Sequence, residues 1–272
     1  LDTSVMENWD DLYDVFKSPE VVEIDGKPYF SPSNCGTEGI DYRVDLFEQH
    51  DLTPPTSWYD FFHPDELGFD KLDNPRRILM PNDAKMAISM AALALGFDLD
   101  ADEDGFWELS DEELEEVKKL LLHQKPYVLK YSDEIDSELP ELMENGDVFM
   151  SLGWAPETLE MLDDGYDVKY VLPKEGAEVF ICGNALVKGT KHKEEACKLI
   201  DFYIGPIVQE QVFAEQYWYN ITNKKSVEHL KQVDPDLVEN LLLDKPSEFV
   251  KSGVLELPLD EGEEDKWTSI FD

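Results

Sequence analysis

Cysteine is scarce in this chain, basic residues are few, and long apolar runs are missing. The three cysteines, Cys35, Cys182 and Cys197, form no C-x-x-C pair, which excludes the common zinc patterns and a disulfide framework. Only 23 basic residues stand against 62 acidic ones, a formal charge of −39. A phosphate backbone needs a basic footprint, so nucleic-acid binding is excluded and anionic membrane surfaces are disfavoured. No apolar run reaches the roughly eighteen residues that a membrane-crossing helix needs. The first residues carry no basic segment and no apolar core, so no signal peptide is legible in this sequence. Catalytic signatures are missing too: there is no G-x-S-x-G, no phosphate-binding glycine loop and no H-E-x-x-H. Cys35 in "NCGTEG" has no local signature of a thiol nucleophile, and an enzyme is not expected.

What is present is a chain able to build a substantial core, with 42% hydrophobic and 11% aromatic residues over 272 positions. Two readings of the acidity stand side by side: a field that concentrates cationic ligands, and adaptation to high salt, which accounts for more of the total. Residues 1–20 read as short helical turns. "VVEIDGKPYFSPSN" reads as a strand, a turn at Asp25-Gly26 and a second extended piece. "TPPTSWYDFFHPDELG" holds Trp58, Tyr59, Phe61 and Phe62 between prolines, with Thr56 or Ser57 able to cap a short helix ending before Pro64. "AKMAISMAALALGF" reads as a buried helix, and "SDEELEEVKKLLLHQ" as an amphipathic one with Ser110 and Glu113 at capping-box spacing. Strands and helices then alternate to about residue 220, which predicts an α/β fold with mainly parallel sheets; the rest reads as mostly helical.

Several of these stretches line up in one order. "TPPTSWYDFFHPDELG", "RILMPNDAKMAISMAALALG", "LMENGDVFMSLGW", "VLPKEGAEVFICGNALVKGTKHKEEACKLIDFYIG" and "YWYNITN" resemble the extracellular solute-binding proteins of polyamine ABC transporters, the spermidine/putrescine-binding group. The resemblance covers most of residues 21–230. It implies an α/β, two-lobed periplasmic-binding-protein-like fold of type II, with lobes joined by crossing strands and a ligand cleft between them. Residues 1–42 and 176–272 would form lobe one, apparently without its N-terminal part, and 43–175 would form lobe two. The aromatic helix would anchor the edge of lobe two, its rings in the core, and Pro64 would turn the chain into the first strand of that lobe. The implied function is that of the solute-binding component of an ABC importer, capturing a small cationic organic solute. A stand-alone sensor or scavenger module is the alternative. The implied partners are that solute and an ABC permease of the inner membrane, with the protein a monomer in a periplasmic or extracytoplasmic setting.

The resemblance also points to site residues. Cation recognition uses carboxylates to pair with ammonium groups and aromatic faces to cover the methylenes. Trp154, Phe180, Tyr219 and Asp83 match cleft positions of the family. Three positions depart from its pattern: the main carboxylate is Cys182, a second acid is Met86, and the aromatic before the first-lobe glycine is Cys35. Glu38, Asp41 or Glu157 are the acids able to substitute. Cys35 and Cys182 are expected as two unbridged buried thiols, a disulfide being the alternative, and Cys197 as core.

One motif is independent of the family. "DADEDGFWELSD" places Asp100, Asp102 and Asp104 at positions one, three and five of a calcium loop, with Gly105 at six, the carbonyl of Phe106 at seven, Glu108 at nine and Asp111 at twelve. Asp111 is shorter than the bidentate Glu usual there. No cofactor is required on this reading, and the loop marks a structural calcium as the one metal to expect; the alternative is a solvated acidic turn.

Overall fold

The computed structural model describes residues 1–251 and 253–272. The strands are β1 (Glu23–Ile24), β2 (Lys27–Pro28), β3 (Phe30–Arg43), β4 (Ile78–Pro81), β5 (Val128–Ser132), β6 (Met150–Trp154), β7 (Val168–Val171), β8 (Glu178–Ala185), β9 (Asn220–Ile221) and β10 (Val254–Leu255). The chain divides into two compact units, Leu1–Gly36 with Val179–Ser252, and Thr37–Glu178 with Gly253–Asp272. Strands β3 and β8, hydrogen-bonded neighbours, each run from one unit into the other. The predicted boundaries set all of 176–272 in the first unit. Instead residues 253–272 belong to the second, because the helix Glu263–Phe271 inserts Trp267, fully buried, into that unit's core.

In the second unit, β3 is the spine of the sheet. It pairs antiparallel with β6 on one side (Glu38↔Trp154, Ile40↔Leu152) and with β7 on the other (Ile40↔Val171). β4 lies parallel to both β5 and β6. The sheet is therefore mixed, not mainly parallel as the alternation of elements predicts, because one long strand enters from the other unit and runs against its neighbours. The apolar helix Ala84–Leu95 packs on this sheet with seven consecutive residues buried, Ala87 to Leu93. The predicted capping box is present on the helix Asp111–Gln124: the Ser110 hydroxyl accepts from the Glu113 N–H, and the Glu113 carboxylate accepts from the Ser110 N–H at 2.9 Å.

The proline-framed aromatic stretch forms the short helix Trp58–Phe62, capped by the Ser57 hydroxyl on the Asp60 N–H at 3.0 Å. Trp58, Phe61 and Phe62 are wholly buried, while Tyr59 remains exposed. Its partner is the second family-like motif, "PKEG". The Glu175 carboxylate accepts from the Trp58 N–H at 2.9 Å, and the Gly176 carbonyl accepts from the Trp58 indole N–H at 2.8 Å. Pro64 does not lead into a strand as expected. It occupies the first turn of another helix, Pro64–Leu67, where its missing N–H costs nothing, and Gly68 closes that helix; β4 begins only at Ile78.

In the first unit the opening residues form three short 3-10 turns, Thr3–Val5, Trp9–Asp11 and Asp14–Lys17. Asp25 and Gly26, both with positive φ (53° and 71°), make the predicted turn between β1 and β2. β9 pairs antiparallel with the first half of β3 (Cys35↔Asn220). The helix Lys193–Tyr203 buries Cys197, as expected of a core thiol, with Leu12 and Ile204 in the same cluster.

Candidate functional site

In the second unit, strand alternation sends Glu38 and Asp41 to opposite faces of β3. Glu38 is 5% exposed, stands opposite Trp154 across the β3–β6 pair, and has one carboxylate oxygen, Oε2, with no hydrogen-bond partner. Burial pushes the Glu38 carboxyl well above its usual range, and the nearby charge of Glu178 pushes it further. Glu178 opens the neighbouring strand β8, accepts from the Ser89 hydroxyl at 3.3 Å, and is itself raised to about 7, chiefly by burial. Glu256 and Asp83 add negative charge to this pair. Among the described residues the cation acting on it is Lys85, already paired with Glu256 at 2.7 Å.

Of the residues singled out from the sequence, Trp154, Glu38 and Asp83 share this unit. Trp154 is half-buried at the end of β6, its ring against the cluster that contains Leu139 and Met161. Asp83 caps the helix Ala84–Leu95, accepting from the Met86 N–H at 2.9 Å, and its carboxylate is exposed. The sequence alone does not single out Glu178, Glu256 or Lys85. The one signal for Glu178 is a charged residue opening an apolar strand, "EVFIC".

Asp41 and Glu157 form a separate group on the other face of β3. Asp41 is fully buried, takes a hydrogen bond from the Thr158 hydroxyl on one oxygen, and has none on the other. That second oxygen lies 2.4 Å from where a Cβ on Gly153 would stand, so a side chain at 153 would displace the Asp41 carboxylate. Burial holds the Asp41 carboxyl well above its usual range and raises Glu157, whose Oε2 also lacks a partner, to about 8.

Phe180, Cys35, Cys182 and Tyr219 belong to the first unit. The Phe180 ring lies across Gly36, within 2.3 Å of a Cβ built on that glycine, so the close approach depends on glycine. Cys35 is buried, and burial pushes its thiol up, with Cys182 adding to the effect. No disulfide joins the two, and Cys182 is exposed rather than buried as expected, since it faces outward on β8. Tyr219 is half-buried and precedes Asn220, the residue opposite Cys35; its N–H donates to the Phe213 carbonyl at 2.8 Å.

In the acidic loop, Asp100, Asp102 and Asp104 each offer a carboxylate oxygen within 4.8 Å of the other two. The Gly105 N–H donates to Asp100 at 3.2 Å, and the Trp107 N–H ties the loop to the Pro258 carbonyl at 2.8 Å. Asp102 raises the exposed Glu108 carboxyl. Asp111 is not among the three and sits exposed at the start of the next helix, directly after the Ser110 cap.

These two α/β units, linked through β3 and β8, have the build of a periplasmic-type binding protein. The model of the bacterial extracellular solute-binding protein family matches residues 1–239, and the chain belongs to that family. Among its relatives is the putrescine-binding periplasmic protein SpuD of Pseudomonas aeruginosa, 28% identical over 228 residues that cover 78% of this chain and 56% of that protein. Another is the spermidine/putrescine-binding periplasmic protein of Escherichia coli, 27% identical over 225 residues, covering 83% of this chain and 58% of that protein. The chain thus spans somewhat over half the length of these relatives. Among solved structures, the substrate-binding protein PotD of Streptococcus pneumoniae, in complex with calcium and HEPES, aligns with all of this chain and 75% of its own, at a TM-score of 0.76 and 22% identity. MotA of A. tumefaciens, in complex with glucopine, aligns with all of this chain and 76% of its own, at a TM-score of 0.72 and 18% identity. At these identities the structural likeness shows the fold. No helix among the described residues is long and apolar enough to cross a membrane.

Proposed function

We propose that this chain is the solute-binding part of an ABC importer and captures a small organic cation of the polyamine kind. The observation that carries the reading is the buried carboxyl of Glu38, with an oxygen left without a hydrogen-bond partner, in a chain whose relatives are named as putrescine- and spermidine-binding proteins. A free carboxylate oxygen is the acceptor that an alkylammonium ion needs. On this reading Trp154 and Asp83 of the second unit contact the solute. The protein works as a monomer outside the cytoplasmic membrane, delivers its solute to a membrane permease, and catalyses no reaction. A thermal-shift screen of putrescine, spermidine, betaine and amino acids tests it, followed by calorimetry on the best binder. Trp154→Ala is expected to weaken that binder by about 1 kcal/mol or more, roughly fivefold. An unchanged dissociation constant removes Trp154 from the site.

The reading includes a structural calcium in the acidic loop, held by Asp100, Asp102 and Asp104 with the Phe106 carbonyl, and by Asp111 through a water. The clustering of three carboxylates supports it. The ion would neutralise the crowded carboxylates and stiffen the turn between two helices. Calorimetry with calcium is expected to give heat with the wild type and none with Asp102→Ala. Equal heats, or none from either protein, reduce the loop to a solvated turn.

A further inference from the structure

We infer that Glu38 and Glu178 together form a charge subsite, within the second unit, that seats one protonated amine of the solute. The inference rests on the solute-binding reading and names the residues that supply its charge recognition. Two acids on adjacent strands, β3 and β8, are buried at 5% and 3% exposure in the same unit. Burying one carboxylate without a cation is costly, and burying two beside each other costs more. A chain gains nothing in stability from such a pair.

The surrounding groups show what would offset that cost. Glu178 Oε2 takes one hydrogen bond, from Ser89, whose hydroxyl is also directed to the Lys85 carbonyl at 2.7 Å. Glu38 Oε2 takes none, so an acceptor is buried and unused. Lys85 does not fill the gap, because its ammonium is 2.7 Å from Glu256 and lies over the Trp107 ring at 4.9 Å. Glu256 and Asp83 leave the neighbourhood with more negative than positive charge. The missing complement is thus a cation that brings N–H donors.

A bare metal ion fits poorly, since hard cations want about six or more oxygens, and the clustered metal-ligand groups among the described residues lie elsewhere, at Asp100, Asp102 and Asp104. A protonated amine needs only two or three acceptors, which the two buried carboxylates supply. Without solute the pair retains a proton, held in place of the missing cation; an incoming ammonium displaces it. Binding should therefore release a proton, which a pair of permanently charged surface acids would not do.

The test is calorimetry with putrescine, butylamine and a neutral analogue, 1,4-butanediol, on the wild type, Glu38→Gln and Glu178→Gln. The Gln variants preserve shape and remove a buried charge, so folding is not at risk; circular dichroism checks it. Either variant is expected to bind the amines about tenfold more weakly or worse, the size expected for losing a charge-assisted hydrogen bond. Wild-type heats should differ between buffers of unlike ionisation enthalpy, revealing the released proton, and that difference should shrink in both variants. Amine binding within twofold of wild type in both variants overturns the subsite and leaves the solute-binding reading standing. The subsite is equally overturned if the wild type binds only a solute without an amine. A wild type that binds none of the screened solutes overturns both.

Discussion

Glu157→Gln is expected to flatten the pH dependence of stability, and Asp41→Asn to flatten it further. The Glu157 carboxyl, raised to about 8 by burial, keeps its proton in the folded chain at pH values where the unfolded chain has lost it. The folded state then binds more protons, so stability falls as pH rises. The Glu157 contribution is complete below its usual value of 4.5, and it is lost progressively as pH rises through about 8. At about 1.4 kcal/mol per unit, one such group makes on the order of 5 kcal/mol of difference across that window, an upper figure because local relaxation softens it. Asp41 is raised in the same direction, chiefly by burial and secondarily by the Glu157 charge, against which the Thr158 hydrogen bond works. Glu178, raised to about 7, adds to the slope over a narrower range. The formal charge of −39 also disfavours the compact state as pH rises. Melts should therefore be run in about 1 M salt, where the Debye length is about 3 Å and general repulsion is screened. Wild type should lose stability steadily from pH 5 to 8. A Glu157→Gln profile parallel to the wild type would show that burial does not hold this proton.

Trp58→Ala should destabilise the second unit by about 3–5 kcal/mol, the range for removing a wholly buried large aromatic side chain. Three losses combine. The ring leaves a cavity beside Phe61, which it meets edge-on at 5.9 Å. The Gly176 carbonyl loses its indole donor. The helix Trp58–Phe62, only five residues long, depends on tertiary contacts rather than its own hydrogen bonds. Trp58→Phe separates these effects. It retains much of the packing and loses only the hydrogen bond, so it should cost clearly less than Ala. Glu175→Gln should cost about 1 kcal/mol, since an amide oxygen still accepts from the Trp58 N–H but carries no charge at the helix N-terminus. Chemical denaturation of the three variants checks the order Ala, then Phe, then Gln. Equal losses from Ala and Phe would assign the stabilisation to the hydrogen bond instead of the ring.

The contact between Trp58 and the "PKEG" segment also explains why these two stretches could each be picked out from the sequence as family-like although more than a hundred residues separate them. Each is the other's partner in the core of one unit, and their residue types follow from that: a serine cap, an indole that donates, a glutamate that meets two backbone N–H groups.

Local chemistry was legible without the structure. Ser110 and Glu113 cap a helix because their side chains reach backbone N–H groups three residues away. Asp25 and Gly26 turn the chain because they accept positive φ. The order of motifs marked the family, and with it the two-unit α/β build. What the tertiary structure alone decided concerns partners far apart in the chain. Glu38 and Glu178 are 140 positions apart, and nothing in "NCGTEG" or "EVFIC" announces that their carboxyls are buried together on adjacent strands. Residues 253–272 pack with the second unit because Trp267 finds its cavity there, not because of where they fall in the order of elements. Pro64 fits a strand lead-in and a helix first turn equally well, since its fixed φ suits both; only the closing Gly68 and the buried Leu67 select the helix. Caps and turns are settled within four residues by hydrogen bonds the chain makes with itself. Burial is settled by whichever distant surface arrives, and burial is what gives an ordinary glutamate a proton it retains at neutral pH.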